Sequence, residues 1–175
     1  NAVFNQWGAS GLAAVWAEEN TRKSIFDAFK RKETYATSGT RIKLRFFAGY
    51  DLDESLLDAD DAVKQAYERG VPMGQDLKPS DGAQPSFLIW ALRDKNSAPL
   101  QRVQVIKGWV DRITGKPNEK VIDVMCSDGL KPDPETNRCP DNGALVDISD
   151  CSITSDVGAN ELKTVWTDKS FDPSV

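Results

Sequence analysis

The chain has 175 residues, carries a net charge of −5 and is 39% hydrophobic, so it is long enough to bury roughly two-thirds of its unfolded surface without a metal or disulfide staple. It contains no histidine, which excludes Ser-His-Asp and Cys-His nucleophile systems, His-bearing zinc sites and imidazole general-base catalysis within these residues. The three cysteines include no C-x-x-C pair, so an all-thiolate zinc site is excluded too.

Charge is unevenly spread. Residues 1–47 carry +4 and residues 121–175 carry −7. An acidic chain with a pI near 4.8 lacks the basic face that phosphate neutralisation requires, so nucleic acid is not an expected partner. The longest apolar runs, Leu12–Ala17 and Phe87–Leu92, fall far short of the roughly 18 residues that cross a bilayer, so a membrane is not expected either. No signal peptide is legible, and Asn1-Ala2 reads as what is left of an expression tag.

In chain order, Leu12–Ala17 reads as a short strand buried on both faces, as in a parallel α/β sheet. Asn20 or Thr21 then supplies a helix N-cap. Ile25, Phe26, Ala28 and Phe29 recur at helical spacing with lysines and arginines on the wet side, predicting a helix over 21–33. After Thr37-Ser38-Gly39 the period changes to two: Ile42, Leu44 and Phe46 alternate with Lys43, Arg45 and Phe47, a half-buried strand. A weaker helix is predicted over 53–70, with Gly70 as its stop.

Beyond it everything reads as β. Phe87–Leu92 is an interior strand. Val103, Val105, Lys107 and Trp109 alternate in the next, Val121–Cys126 follows, and Leu162–Trp166 forms a last short one. Polar turns such as Pro79-Ser80-Asp81-Gly82 and Thr114–Asn118 join them. Strands joined without intervening helices predict an antiparallel sandwich. The expected fold class is therefore α+β, mainly β: a strand–helix unit over 3–39, the tail of an α/β unit that the resemblance given below implies is a barrel remnant, followed by a β-sandwich over 40–175 with an acidic, cysteine-bearing loop at 126–156. A lone strand–helix unit has no sheet neighbours to cover its apolar face, which suggests a piece of a larger protein.

Candidate sites follow from residue chemistry. Cys126, Cys139 and Cys151 lie in the Asp/Pro/Gly-rich loop, where one disulfide, Cys126–Cys139 ahead of the alternative, closes a loop of about 13 residues and contributes roughly 3 kcal/mol; that favours a periplasmic or extracellular setting. Asp128, Asp141 and Asn142 offer oxygens for calcium, although turn residues on a solvated loop explain them more simply. Glu18 stands where a strand ends and a helix begins, the place where α/β folds collect ligands, yet a first-turn carboxylate also suits the helix dipole. Ser38 and Arg41, in Thr37–Arg41, offer a hydroxyl and a guanidinium to an anion, or simply form a helix-to-strand turn. The five tryptophans, Trp7, Trp16, Trp90, Trp109 and Trp166, stack on sugars if exposed and fill the core if not.

The stretches Trp7–Arg22, Ser24–Ala28 and Arg31–Gly39, with Cys126–Gly129, Arg138–Ala144 and Asp150–Ser152, resemble the C-terminal region of a large bacterial family of domains of unknown function, number thirty-six-oh-four. That family is similar to the polymerase-and-histidinol-phosphatase (PHP) superfamily, whose distorted β/α barrels bind two or three metals through His and Asp and hydrolyse phosphoesters. The resemblance implies that Tyr35–Gly39 closes such a barrel and leads into an appended sandwich. It implies zinc or manganese in the parent protein, on histidines upstream, with no cofactor bound by this fragment. The upstream barrel would be its partner. Where many relatives have proline, this chain has Thr40.

Three functions are thus in view. The first is a fragment of a PHP-like hydrolase that is silent alone, with Glu18, Ser38 and Arg41 near the cleft. The second is a sandwich module that binds a polysaccharide or surface partner, assisted by calcium. The third is a hydrolase that works through a pair of carboxylates.

Overall fold

The computed structural model describes residues 10–80 and 82–175. Asn1-Ala2 and Trp7, the first residues of the 3–39 unit, and Asp81 of the Pro79–Gly82 turn lie outside them. The protein is mainly β, and its paired strands run antiparallel.

Strand β1 (Leu12–Val15) leads to helix α1 (Arg22–Lys30) and returns through β2 (Thr34–Thr37). Thr21 caps α1 by accepting from the Ser24 N–H. The helix stops short of the expected 33, because Lys32 takes a left-handed φ of 60° and swings the chain into β2. Gly74 packs against that bend at φ 83°, where any Cβ would strike the Lys32 carbonyl. The doubly buried, parallel reading of β1 is corrected here: β1 pairs antiparallel with β2, and Leu12 remains 42% exposed. Burial on both faces requires flanking strands and a layer on each side, and among the described residues β2 is its one strand neighbour.

The centre of the protein is a four-stranded sheet in the order β10 (Glu161–Thr167), β5 (Ser86–Leu92), β3 (Lys43–Gly49), β4 (Gly70–Pro72). The predicted helix over 53–70 divides into a 3-10 turn, Glu54–Leu57, capped by Asp53, and α2 (Ala62–Arg69). Gly70 does end α2, in an extended rather than a left-handed conformation. It enters β4 at once, so close to β3 that a side chain would run into the Ala48 carbonyl.

Register assigns the two faces of the sheet. Phe47 lies opposite Leu88, and Leu88 opposite Val165; these pack under Leu52, Leu56 and Ala66 from the helical segment. On the other face Leu44, Ile89 and Leu162 meet Val103, Val105 and Val124 of a long ribbon, β6 (Arg102–Val110) and β7 (Pro117–Cys126). β3 is thus covered on both sides at Phe47, which is 1% exposed, where alternation predicted a half-buried strand. Each fully buried Phe or Leu contributes about 1.5–3 kcal/mol. A small hairpin, β8 (Val146–Asp147) with β9 (Ser152–Ile153), projects from the loop after β7.

That loop is held by covalent and polar means. Cys126 and Cys139 form a disulfide with Cα atoms 5.7 Å apart, and Cys151 is a free, exposed thiol. The buried Asp123 carboxylate beside it accepts from the Cys139 N–H at 2.7 Å, from Gln104 Nε2 at 2.6 Å and from Arg138 Nη1 at 3.3 Å. Burial alone would raise its pKa; the Cys139 N–H, the Gln104 amide and the nearby Arg102 and Arg138 outweigh burial and hold it below the ordinary carboxylate value.

Candidate functional site

A cleft lined by charged and aromatic side chains lies where the β1–α1–β2 unit meets the central sheet. Trp16, just past the end of β1, donates its indole Nε1–H to the Leu44 carbonyl of β3 at 2.8 Å. The next outward residue on β3, Arg45, lays its guanidinium 3.7 Å above the Trp16 ring, a stacking that fixes the guanidinium plane. Arg45 Nη1 donates to the Tyr67 hydroxyl of α2 at 3.3 Å, and Tyr67 donates to Glu33.

Glu33 opens the turn into β2 and is 3% exposed. Arg31 Nη2 stands 3.5 Å from its second oxygen. Burial, and then the Glu33 carboxylate, hold the Tyr67 phenol above its usual pKa, so it keeps its proton at neutral pH.

These groups line a cleft of about 440 Å³ that Ala17 and Glu18 complete. A second hollow of about 180 Å³ shares Trp16 and Arg45 and adds Lys43, Val63, Trp90, Leu92 and Glu161. The register explains the grouping, since Arg45 is paired with Trp90, and Lys43 with Leu92, on one face of the sheet. Trp90 donates its Nε1–H to Glu161 at 2.5 Å and carries the Lys163 ammonium 4.5 Å above its ring. Two indoles, each under a cation, thus line the second hollow.

The residues singled out from sequence are separated. Glu18 is exposed at the mouth of the cleft. Ser38 and Arg41 lie in the turn between β2 and β3 and do not line it. Both are exposed, and the Arg41 backbone N–H donates to Asp94 at 2.8 Å. Arg45, Tyr67 and Glu33 escaped the sequence reading because they come from a strand, a helix and a turn. The one signal for Arg45 was its charge, with Lys43, on the side of β3 that alternates with Leu44 and Phe46.

Asp128 and Asn142 do meet. There the Asn142 amide donates to the Asp128 carboxylate at 3.1 Å, while Ser127 Oγ and the Gly158 N–H donate to the same group at 2.6 Å and 2.9 Å. Asn142 Oδ1 accepts from Gln101, and Asp141 turns away to accept from the Gly143 N–H at 3.1 Å. The Asp128 carboxylate, Asn142 Oδ1 and Asp141 Oδ1 thus each accept a hydrogen bond. Among the described residues no three His, Cys, Asp or Glu side chains are grouped to hold a metal ion, so the donor set present does not fit a two- or three-metal centre.

Among the described residues the tryptophans form no single platform. Trp90 and Trp166 lie on opposite faces of the sheet by register, and Trp166 stacks on Phe87 at 5.5 Å. No described helix is long and apolar enough to cross a membrane.

A mainly antiparallel β protein with a charged aromatic cleft at one end is the class that fold and site define. The family model described as "Protein of unknown function (DUF3604)" matches residues 2–175, and the chain belongs to that family. No curated protein and no solved structure matches it.

Proposed function

We propose that this chain is the C-terminal part of a PHP-like, metal-dependent hydrolase of the phosphoesterase type, and that it serves there as a β-sandwich appended to a barrel and walling its cleft. The observation that carries this reading is the unfinished packing of the β1–α1–β2 unit. Phe26 and Phe29, one turn apart on α1, are 59% and 51% exposed, and Leu12 of β1 is 42% exposed. A strand and helix with apolar side chains left in water present a face that a further part of the polypeptide would cover. The upstream barrel of the same polypeptide is then the partner, and the charged cleft at Trp16 and Arg45 lies at that junction.

Zinc or manganese in the parent would polarise a phosphoryl oxygen and activate water, on ligands supplied by the upstream residues. The part played by this chain is to position substrate and exclude water. The internal disulfide supports a periplasmic or extracellular setting. The isolated chain should not turn over p-nitrophenyl phosphate or bis-p-nitrophenyl phosphate with manganese or zinc above the metal-only background. Chelator-sensitive turnover by this chain alone would overturn the proposal.

A further inference from the structure

We infer that the Trp16–Arg45 cleft binds the oxyanion of a small organic acid or ester, a phosphate, sulfate or carboxylate group, with Arg45 as its counter-ion and Trp16 and Trp90 against its carbon part. This deepens the reading above, on which it rests only for the ligand's place in a larger protein.

The half-buried Arg45 guanidinium has no carboxylate within 4.0 Å among the described residues. The acids around it are already engaged: Glu33 by Tyr67 and Arg31, and Glu161 by the Trp90 indole. Tyr67 keeps its proton and points it at Glu33, so it turns a lone pair towards Arg45 and supplies no negative charge.

Stacking on Trp16 leaves the in-plane N–H groups of the guanidinium not bonded to Tyr67 as its free edge, and that planar fork matches two oxygens of one oxyanion. Lys43, two residues back on the same face of β3, adds a second positive charge to the hollow. Glu18 is the exposed exception, at the far mouth. A neutral ligand would desolvate Arg45 without compensating its charge, which is costly; an anion neutralises it as it enters. Val63, Leu92 and the two indoles give the remainder of the ligand an apolar wall.

Calorimetric titration of the 175-residue chain, without metal and in about 20 mM salt so that screening stays weak, would use inorganic phosphate, sulfate, benzoate and phenyl phosphate as probes. Phenyl phosphate should bind more tightly than inorganic phosphate. The order of phosphate, sulfate and benzoate names the preferred oxyanion. Arg45→Met should weaken binding by about tenfold or more, the range of one charge-assisted bidentate contact, and Lys43→Met by about threefold. Arg45→Lys keeps the charge and loses the fork, so it should still weaken phenyl phosphate several-fold; it serves if Arg45→Met does not fold.

Unchanged binding by a folded Arg45 variant, or no saturable heat from any probe up to about 10 mM, would overturn the site. Absence of binding leaves the silent-wall reading standing. Turnover of phosphoesters would overturn that reading without touching the binding site.

Discussion

The central sheet and the acidic loop after β7 hold their shape by opposite means. In the sheet, Phe47, Leu56 and Leu88 are the largest fully buried side chains, and order comes from apolar area removed from water. In the loop, Leu145, Val146 and Ile148 are exposed at 74%, 60% and 93%, and order comes from the Cys126–Cys139 bond and from carboxylates that accept backbone N–H groups. Asp133 bonds Glu135 and Thr136, Asp147 bonds Ser149, and Asp150 bonds Ser152, each a turn closed by its own side chain. The first device answers to cavity size, the second to redox state and pH.

Three perturbations separate them. Phe47→Ala should have the largest effect, about 4 kcal/mol lost in urea unfolding, because its cavity lies under both α2 and the 3-10 turn and neither can collapse into it; a loss below about 1 kcal/mol would mean that the sheet is not the stability centre. Replacing Cys126 and Cys139 together by serine should cost about 3 kcal/mol, and a reducing agent should do the same to the wild type. Amide exchange should rise across residues 127–143 in that variant and stay slow in β3 and β5. Equal loosening of both regions would erase the contrast.

Acid should have the smallest effect of the three. The folded pKa of Asp123 lies below its ordinary value of 3.8, so the unfolded chain takes up the proton first. Its stabilising contribution is complete above about pH 5 and fades as pH falls through 3.8 towards the folded pKa. The buried Asp168, where Lys107 and Ser170 outweigh the upward pull of burial, adds to the same trend. Urea midpoints should therefore fall between about pH 5 and pH 3. Asp123→Asn should lower the midpoint at pH 7 and flatten that slope; a parallel slope would show that Asp123 is not among the groups responsible.

Much of the fold is legible in the residues. The interior strand at Phe87–Leu92, the alternation of Val103 to Trp109, the capped helix after Thr21 and the antiparallel pairing all follow from period, turn chemistry and the absence of helices between strands. The candidate site is far less legible. Glu18 could be placed at a strand end, but the Thr37–Arg41 turn looks from sequence as suited to an anion as anything in the chain, and in the structure Ser38 and Arg41 stay outside the cleft. The calcium reading of Asp128, Asp141 and Asn142 counted oxygens; that Asn142 meets Asp128 while Asp141 accepts from the Gly143 N–H depends on the path of the loop.

The amino-acid order alone decided what is local: the switch from helical to alternating period at Thr37, the turn residues, the charge asymmetry and the exclusion of imidazole chemistry. Only the assembled protein decided that Arg45 stacks on Trp16, that Tyr67 faces Glu33, and that β3 is covered on both sides at Phe47. Those partners lie 29, 34 and 41 residues apart in the chain, and their meeting is fixed by sheet register and helix packing. Local preferences extend over a few residues; a register that moves every side chain to the opposite face on a one-residue slip is a property of the whole sheet.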